Sequence, residues 1–329
     1  MENIYTDLAL EMAEQLDGTQ AIDGVEITSD VREGITINSI RITNDAGATA
    51  MGKPIGNYIT VESLEIKVNS VDIHEEIAGI LAEKLTLLAE CANCDKNGTA
   101  LVIGLGNRNV TPDSLGPLVV AKTLITRHIM EGLPVELEGK MRSVAGIAPG
   151  VMGLTGIETL EVVKGLVQHV KPALVIAIDA LAARSISRIN QTIQLTDTGI
   201  CPGAGIGNRR MPLNQDTLGV PVIAIGVPTV ADAAVFASDA MERFLVSMEE
   251  SAPELLEGCD NFLKMLADIS DDDKYAAIRA AIRPVVGNMF VTPKEIGEVV
   301  AWLAGMIANG INAAMHEGIS REDINRFVY

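Results

Sequence analysis

The chain has little basic charge, few cysteines and few histidines, and its N-terminus carries neither a basic flank nor an apolar run. Each shortage removes a class of function. Against 44 acidic residues stand 25 basic ones, a formal charge of −19, and that sign repels phosphate backbones and anionic lipid. Direct nucleic-acid binding is therefore not expected; the acidity reads chiefly as solubility, with attraction of a basic substrate as the alternative. The opening MENIYTDLALEMAEQ offers no signal peptide or membrane span, so a cytoplasmic location is expected. Cys91, Cys94, Cys201 and Cys259 are too few and too scattered for a disulfide framework. Cys91 and Cys94 form a CxxC, but zinc needs a second ligand pair at metal spacing. His74, His128, His169 and His316 supply none nearby, and reduced thiols are the simpler reading.

What is present reads as a globular α/β chain. With 329 residues, 48% hydrophobic and 21% charged, it can bury a large core as one large domain or two modest ones. Residues Ile35 to Ile42 alternate apolar and polar like a half-buried strand, and Tyr58 to Val68 continue the β character. Between them AGATAMGKPIGN is rich in small residues and reads as a loop. Val71 to Glu90 has helical spacing. Strand, loop and helix then repeat. TALVIGLG precedes a helix from about Leu115 to Met130, RSVAGIAP one from about Gly156 to Val170, and PALVIAID leads through ALAARS to a helical RINQTIQL. PVIAIGVP precedes a helix starting near Val230. Apolar runs alternating with amphipathic helices predict a mostly parallel central sheet covered on both faces, a three-layer sandwich. A smaller β-rich insertion lies around 25–70. Beyond Met241 the pattern is all helical to the C-terminus, with Thr292 and Pro293 opening a long final helix.

Two aspartates draw attention. Asp113 follows TALVIGLGN in the segment NVTPDSLGP, and Asp179 ends PALVIAID. Both should emerge at the carboxyl ends of buried parallel strands, where open α/β sheets place their ligands. Two carboxylates meeting there form a candidate acid/base pair. Plainer roles compete: Asp113 as a helix cap, and Asp179 as a turn former or a partner to Arg184. Gly150, Gly153 and Gly156 precede a helix, where main-chain amides can hold an anion or oxyanion, although a tight turn explains them as well. GLGNRN lacks the third glycine of a dinucleotide fingerprint, so no NAD site is expected. Asp197, Thr198 and Gly199 spell the DTG triplet of pepsin-like and retroviral aspartic proteases, but those all-β enzymes bring two triplets together. Here the triplet occurs once, and Asp197 reads as a turn residue near the site.

The strings TDLALE, MGKPIGNYITVE, GLGNRNVTPDSLGP, AGIAPGVMGLTGIETLE, KPALVIAIDALAARSISRINQTIQLTDTGICPGAGIGNRR and TLGVPVIAIGVPTVADA together resemble the germination proteases of endospore-forming bacteria. The resemblance implies an α/β fold like that of the hydrogenase maturation endopeptidases with an added β region, assembled as a homotetramer. It implies an endopeptidase of the forespore or spore core that degrades small acid-soluble spore proteins during germination. The family is regarded as an unusual aspartic peptidase, and its proposed catalytic residues correspond to Asp113 and Asp179, with no cofactor. Two adjacent carboxyls share a proton, the ionised one activating water and the protonated one polarising the scissile carbonyl. Members are made as zymogens that process themselves between an acidic and an apolar residue. TDLALE fits that pattern between Asp7 and Leu8, which makes Met1 to Asp7 a short propeptide and 8–329 the peptidase domain. Arg108 stands where the family usually carries tryptophan. Two competing readings are a nickel-dependent peptidase of the hydrogenase-maturation type and a non-catalytic relative; no histidine lies in either aspartate motif, which weighs against nickel.

Overall fold

The computed structural model describes residues 8–15, 22–132, 139–203, 211–251, 269–316 and 318–319. Asp7, the rest of the expected propeptide and Cys259 lie outside them. Its centre is one nine-stranded sheet in the order β1-β2-β3-β7-β8-β6-β4-β5, with β9 paired to β8. The strands are β1 (Val25–Arg32), β2 (Ile35–Ile42), β3 (Gly56–Glu62), β4 (Ala100–Gly104), β5 (Val144–Ile147), β6 (Leu174–Ala183), β7 (Thr192–Thr196), β8 (Val222–Asp232) and β9 (Phe290–Val291).

Four strands, β5, β4, β6 and β8, run parallel. Every other pairing is antiparallel, so the sheet is mixed rather than mostly parallel. The departure has one local cause. RINQTIQL is not a helix: its second half is β7, whose Ile193 and Leu195 alternate with Thr192, Gln194 and Thr196. That is a period of two, and the strand lies antiparallel between β3 and β8, joining the β1–β3 meander to the parallel strands in one continuous sheet.

Helices cover both faces. On one lie α3 (Val71–Cys91), α4 (Leu115–Lys122) and the final helix α10 (Ile296–Met315), which share a core with Ile176, Ile178, Ile193, Leu195, Ile223 and Ile225. On the other, α6 (Thr159–Val170) and the short α7 (Gln215–Leu218) cover Leu101, Ile103, Val175 and Ala177. Farther along that face α1 (Ala9–Gln15) and α2 (Asp45–Met51) cover Ile40, Ile42 and Tyr58. Helix α10 is long and apolar enough to cross a membrane by composition, yet 61% of that stretch is buried here. It runs against α3 and α4, and a Cβ on Gly310 would come within 2.8 Å of Leu81 Cβ.

Several other elements differ from expectation. AGATAMGKPIGN contains helix α2, because Asn44 caps it by accepting from the Gly47 N–H and Gly52 closes it in the left-handed region. The helix after Asp113 ends at Lys122, and Arg127–Gly132 is a separate 3-10 segment. Tyr58 to Val68 splits into β3 and a 3-10 turn at Leu64–Lys67. Strand β8 carries through Asp232 before α8 (Ala233–Ser251) begins. Past it, α9 (Asp271–Val286) precedes β9, so the C-terminal part is not wholly helical.

Candidate active site

The site is built at the carboxyl end of β4. Gly104 is the last residue of β4 paired with β6, opposite Ile178, and the Leu105 N–H still donates to the Ile178 carbonyl at 2.8 Å. The chain then turns through Gly106, at φ +100°, and returns as the 3-10 turn Thr111–Asp113. The Asp113 carboxylate folds back onto that turn: its Oδ2 accepts from the Asn107 N–H at 2.8 Å. A Cβ at Gly106 would meet the Asp113 carbonyl at 2.2 Å, so only glycine lets the loop close this tightly. Asp113 is half-buried.

Asp179 follows Ile178 and lies one step beyond the end of β4. It does not terminate its strand; β6 continues to Ala183 with a bulge between Leu181 and Ala182. Its side chain is 5% exposed, and Oδ1 accepts from the Ala180 N–H at 3.0 Å. Alternation puts Asp179 on the face shared by Val175, Ala177 and Leu181.

Backbone contact brings the two segments together. Gly116, three residues after Asp113, lies so close to both strands that a Cβ there would sit 2.3 Å from the Leu105 carbonyl oxygen and 2.7 Å from that of Ile178. Gly104 answers it from the strand, its own would-be Cβ 2.2 Å from the Gly116 carbonyl. Strand and helix thus touch main chain to main chain, and the start of α4 is pinned beside Asp179.

Along the same face runs a groove of about 160 Å³. Leu181, Gly226, Ala224, Gln194 and Thr196 form its floor, while Lys53, Tyr58, Thr198 and Asn214 contribute its polar and basic walls. Gly226 is the register partner of both Asp179 and Gln194, and Leu181 lies two residues along β6 from Asp179, so the groove borders Asp179 from its own strand and the next. Burial, and secondarily the Asp197 carboxylate, push the Tyr58 phenol up to about 12, against a hydrogen bond with Thr198 that pulls it down. Tyr58 therefore stays protonated and donates to the Pro54 carbonyl at 2.8 Å.

The remaining sequence-derived residues have distinct placements. Asp197 sits at the rim: Oδ1 accepts from the Asn57 N–H at 2.7 Å and Oδ2 from the Asn57 side-chain amide at 2.6 Å. It anchors the start of β3 beside the groove. Gly150 is at φ +76°, and Gly153 lies in the four-residue helix α5 (Met152–Thr155). Gly156 closes that helix in the left-handed region, and α6 begins only at Thr159, so these glycines do not open the long helix. The Arg184 N–H donates to Glu11 Oε1 at 3.2 Å. Cys91 and Cys94 are free thiols, with burial raising the Cys94 pKa, and no His, Cys, Asp and Glu group able to hold a metal occurs among the described residues.

Sequence reading missed the way the start of helix α1 meets this site. Leu8 and Ala9 are fully buried, and the Ala9 N–H donates to Gln194 Oε1 at 2.7 Å. Helix α1 is held down by Arg188, whose guanidinium donates to both oxygens of Glu14 at 2.6 Å and to Glu62, with Glu11 3.7 Å away. No local motif marks this cluster, because its members are more than one hundred residues apart in part and meet only across the folded sheet.

The geometry defines an α/β protein with aspartates in the loop after one parallel strand and on its neighbour, beside a groove on the same sheet. Comparison with known proteins specifies which kind. The family model described as germination protease matches residues 5–254 and 242–328. The germination protease of Caldanaerobacter subterraneus subsp. tengcongensis is 44% identical over 99% of this chain and 98% of its own length. That of Clostridium perfringens is 44% identical over the full length of both, and that of Bacillus subtilis 40% identical over 97% of this chain and 95% of its own. The chain belongs to the germination protease family and is a protease.

Proposed function

We propose that this protease is an aspartic endopeptidase that initiates degradation of small acid-soluble spore proteins in the spore core during germination, with Asp113 and Asp179 as the catalytic pair. The observation that carries the reading is the packing of Gly116 against the Ile178 carbonyl, which sets the Asp113 turn and Asp179 at one strand end beside the groove. Two carboxyls in one site cannot both ionise cheaply and titrate as a coupled pair. The ionised member removes a proton from water as it attacks the scissile carbonyl. The protonated member polarises that carbonyl and then protonates the leaving amine. The fold under this reading is of the hydrogenase-maturation type, and the working assembly is a homotetramer.

The same reading makes the chain a self-processing zymogen cut between Asp7 and Leu8. Gln194, which holds Ala9, is two strands from Asp179 through Gly226, roughly 10 Å at ordinary strand spacing. With Leu8 fully buried, processing within one molecule is the route this geometry supports.

The test is cleavage of a peptide containing TEFASE by protein lacking residues 1–7, with a chelator present and products read by mass spectrometry. Cleavage after the first glutamate is expected from the parent and not from Asp113→Asn or Asp179→Asn. Full activity in either variant refutes the pair; activity only after metal is added back favours the nickel-dependent alternative.

A further inference from the structure

Strand β1 borders the sheet, and the six residues from 26 to 31 are exposed on both of its faces. Ile27 and Val31 are 51% and 65% exposed. An open edge bearing β-branched residues is a template for another strand, and proteins ordinarily cover or blunt it. Which strand fits can be worked out from the hydrogen-bond phase and the charges.

The register with β2 sets Val25 opposite Ile42 and Arg32 opposite Ile35. One step outside it, the Thr43 N–H donates to the Gly24 carbonyl at 2.8 Å, which makes those two a hydrogen-bonded pair. By alternation Glu26, Thr28, Asp30 and Arg32 direct their main-chain groups inward to β2. The N–H and C=O groups of Val25, Ile27, Ser29 and Val31 consequently point outward, to the open edge.

A second β1 laid antiparallel on this edge must bond odd-numbered residues to odd-numbered ones. Centred on Thr28, the two-fold register sets Glu26 against the partner's Asp30. Centred on Asp30, it sets the two Asp30 carboxylates against each other. Like charges directly opposite are destabilising. Centred on Ser29, Glu26 faces the partner's Arg32, Ile27 faces the partner's Val31, and Thr28 faces the partner's Asp30. No like charges meet. Arg32 is already oriented by Asp30 at 3.0 Å and Glu83 at 2.6 Å, and its five donors leave room for one more carboxylate.

We propose that β1 is a homotypic docking edge: two copies of this chain pair antiparallel through Val25–Arg32 about a two-fold axis at Ser29, so that the sheet continues across the interface. Such an isologous contact closes after two copies and supplies one of the interfaces a tetramer needs. It rests on the assembly proposed above and not on the peptidase chemistry.

The experiment is native mass spectrometry of the full chain with two variants. Ser29→Pro removes an N–H that points outward and leaves the bonds to β2 intact; its melting curve should match the parent's while its assembly mass falls by half or to that of a monomer. The double variant Thr28→Cys/Asp30→Cys places thiols at the closely spaced non-hydrogen-bonded positions across the axis. Mild oxidation should give a disulfide-linked dimer on a non-reducing gel that the parent, with its native cysteines, does not form. A monomeric parent overturns the proposal, as does an unchanged mass in Ser29→Pro or an assembled double-cysteine variant that stays unlinked. Peptidase activity enters none of these readouts, so a failed cleavage assay leaves the outcome unaffected.

Discussion

Replacing Gly116 by alanine sets two physical effects against each other. Gly116 lies in the first turn of α4, and helix propensity alone favours alanine by up to about 1 kcal/mol. The surroundings oppose it. The new Cβ would lie 2.3 Å from the Leu105 carbonyl oxygen, 2.5 Å from the Leu105 nitrogen and 2.7 Å from the Ile178 carbonyl oxygen, whereas real Cβ contacts stay beyond 3.0 Å. All three are main-chain atoms of the central sheet or its immediate continuation and cannot rotate aside. Helix α4 must instead retreat by more than half an ångström, at an overpacking cost of about 1–3 kcal/mol. The net expectation is destabilisation in urea titration. The retreat also carries the Asp113 turn away from Asp179, and with these two as the proposed catalytic pair a displacement of that order should cost roughly ten- to a hundredfold in turnover. Gly305→Ala in α10 is the control: nothing lies within 4 Å of its would-be Cβ, so stability should rise by about 0.5–1 kcal/mol with turnover unchanged. Equal stability and activity in Gly116→Ala and the parent would refute the main-chain contact as the device that sets the two aspartates.

Arg188→Met should destabilise the protein by about 2–4 kcal/mol, because it removes the cation that bonds the half-buried Glu62 and faces the buried Glu11; limited proteolysis should then cut in or before α1 first. Asp197→Ala removes the acceptor of two Asn57 bonds and should cost about 2 kcal/mol in chemical denaturation while cleavage activity survives, the reverse of the Asp179→Asn outcome. Burial holds the His316 pKa below its ordinary value of 6.5, in keeping with an imidazole whose Nδ1 accepts from the Arg142 N–H. Because the unfolded chain binds the proton more readily, stability should be full above about pH 6.5 and fall as the pH drops toward the lowered folded value. His316→Gln should flatten that part of a pH-stability profile, and an unchanged slope would discount the assignment.

The parallel strands were legible because each is a continuous apolar run. Strands β4, β6 and β8 are buried on both faces, and their residues announce this without help from any neighbour. The same runs marked Asp113 as a group in the loop after a strand; Asp179, expected to end its strand, instead lies midway along β6, level with the end of β4. Helix α3 was legible from its spacing. The family resemblance was legible as well, since long motifs in fixed order need no coordinates.

Other features depended on the fold. Strand β7 carries a two-residue period over only five positions, too short to outweigh the helical reading of its flanks; pairing with β3 and β8 on either side decides it. Whether β1–β3 form a separate insertion or an extension of the main sheet likewise hangs on that one strand. Asp197 acquires its anchoring role only when Asn57, 140 residues earlier, folds against it. Arg188 gathers Glu11, Glu14 and Glu62 from two distant segments, and Gln194 receives the Ala9 N–H, by contacts with no counterpart in local sequence. The division has a physical basis: burial and periodicity are properties of each segment, while register, close backbone approach and charge pairing are properties of the space between segments, which exists only once the chain has folded.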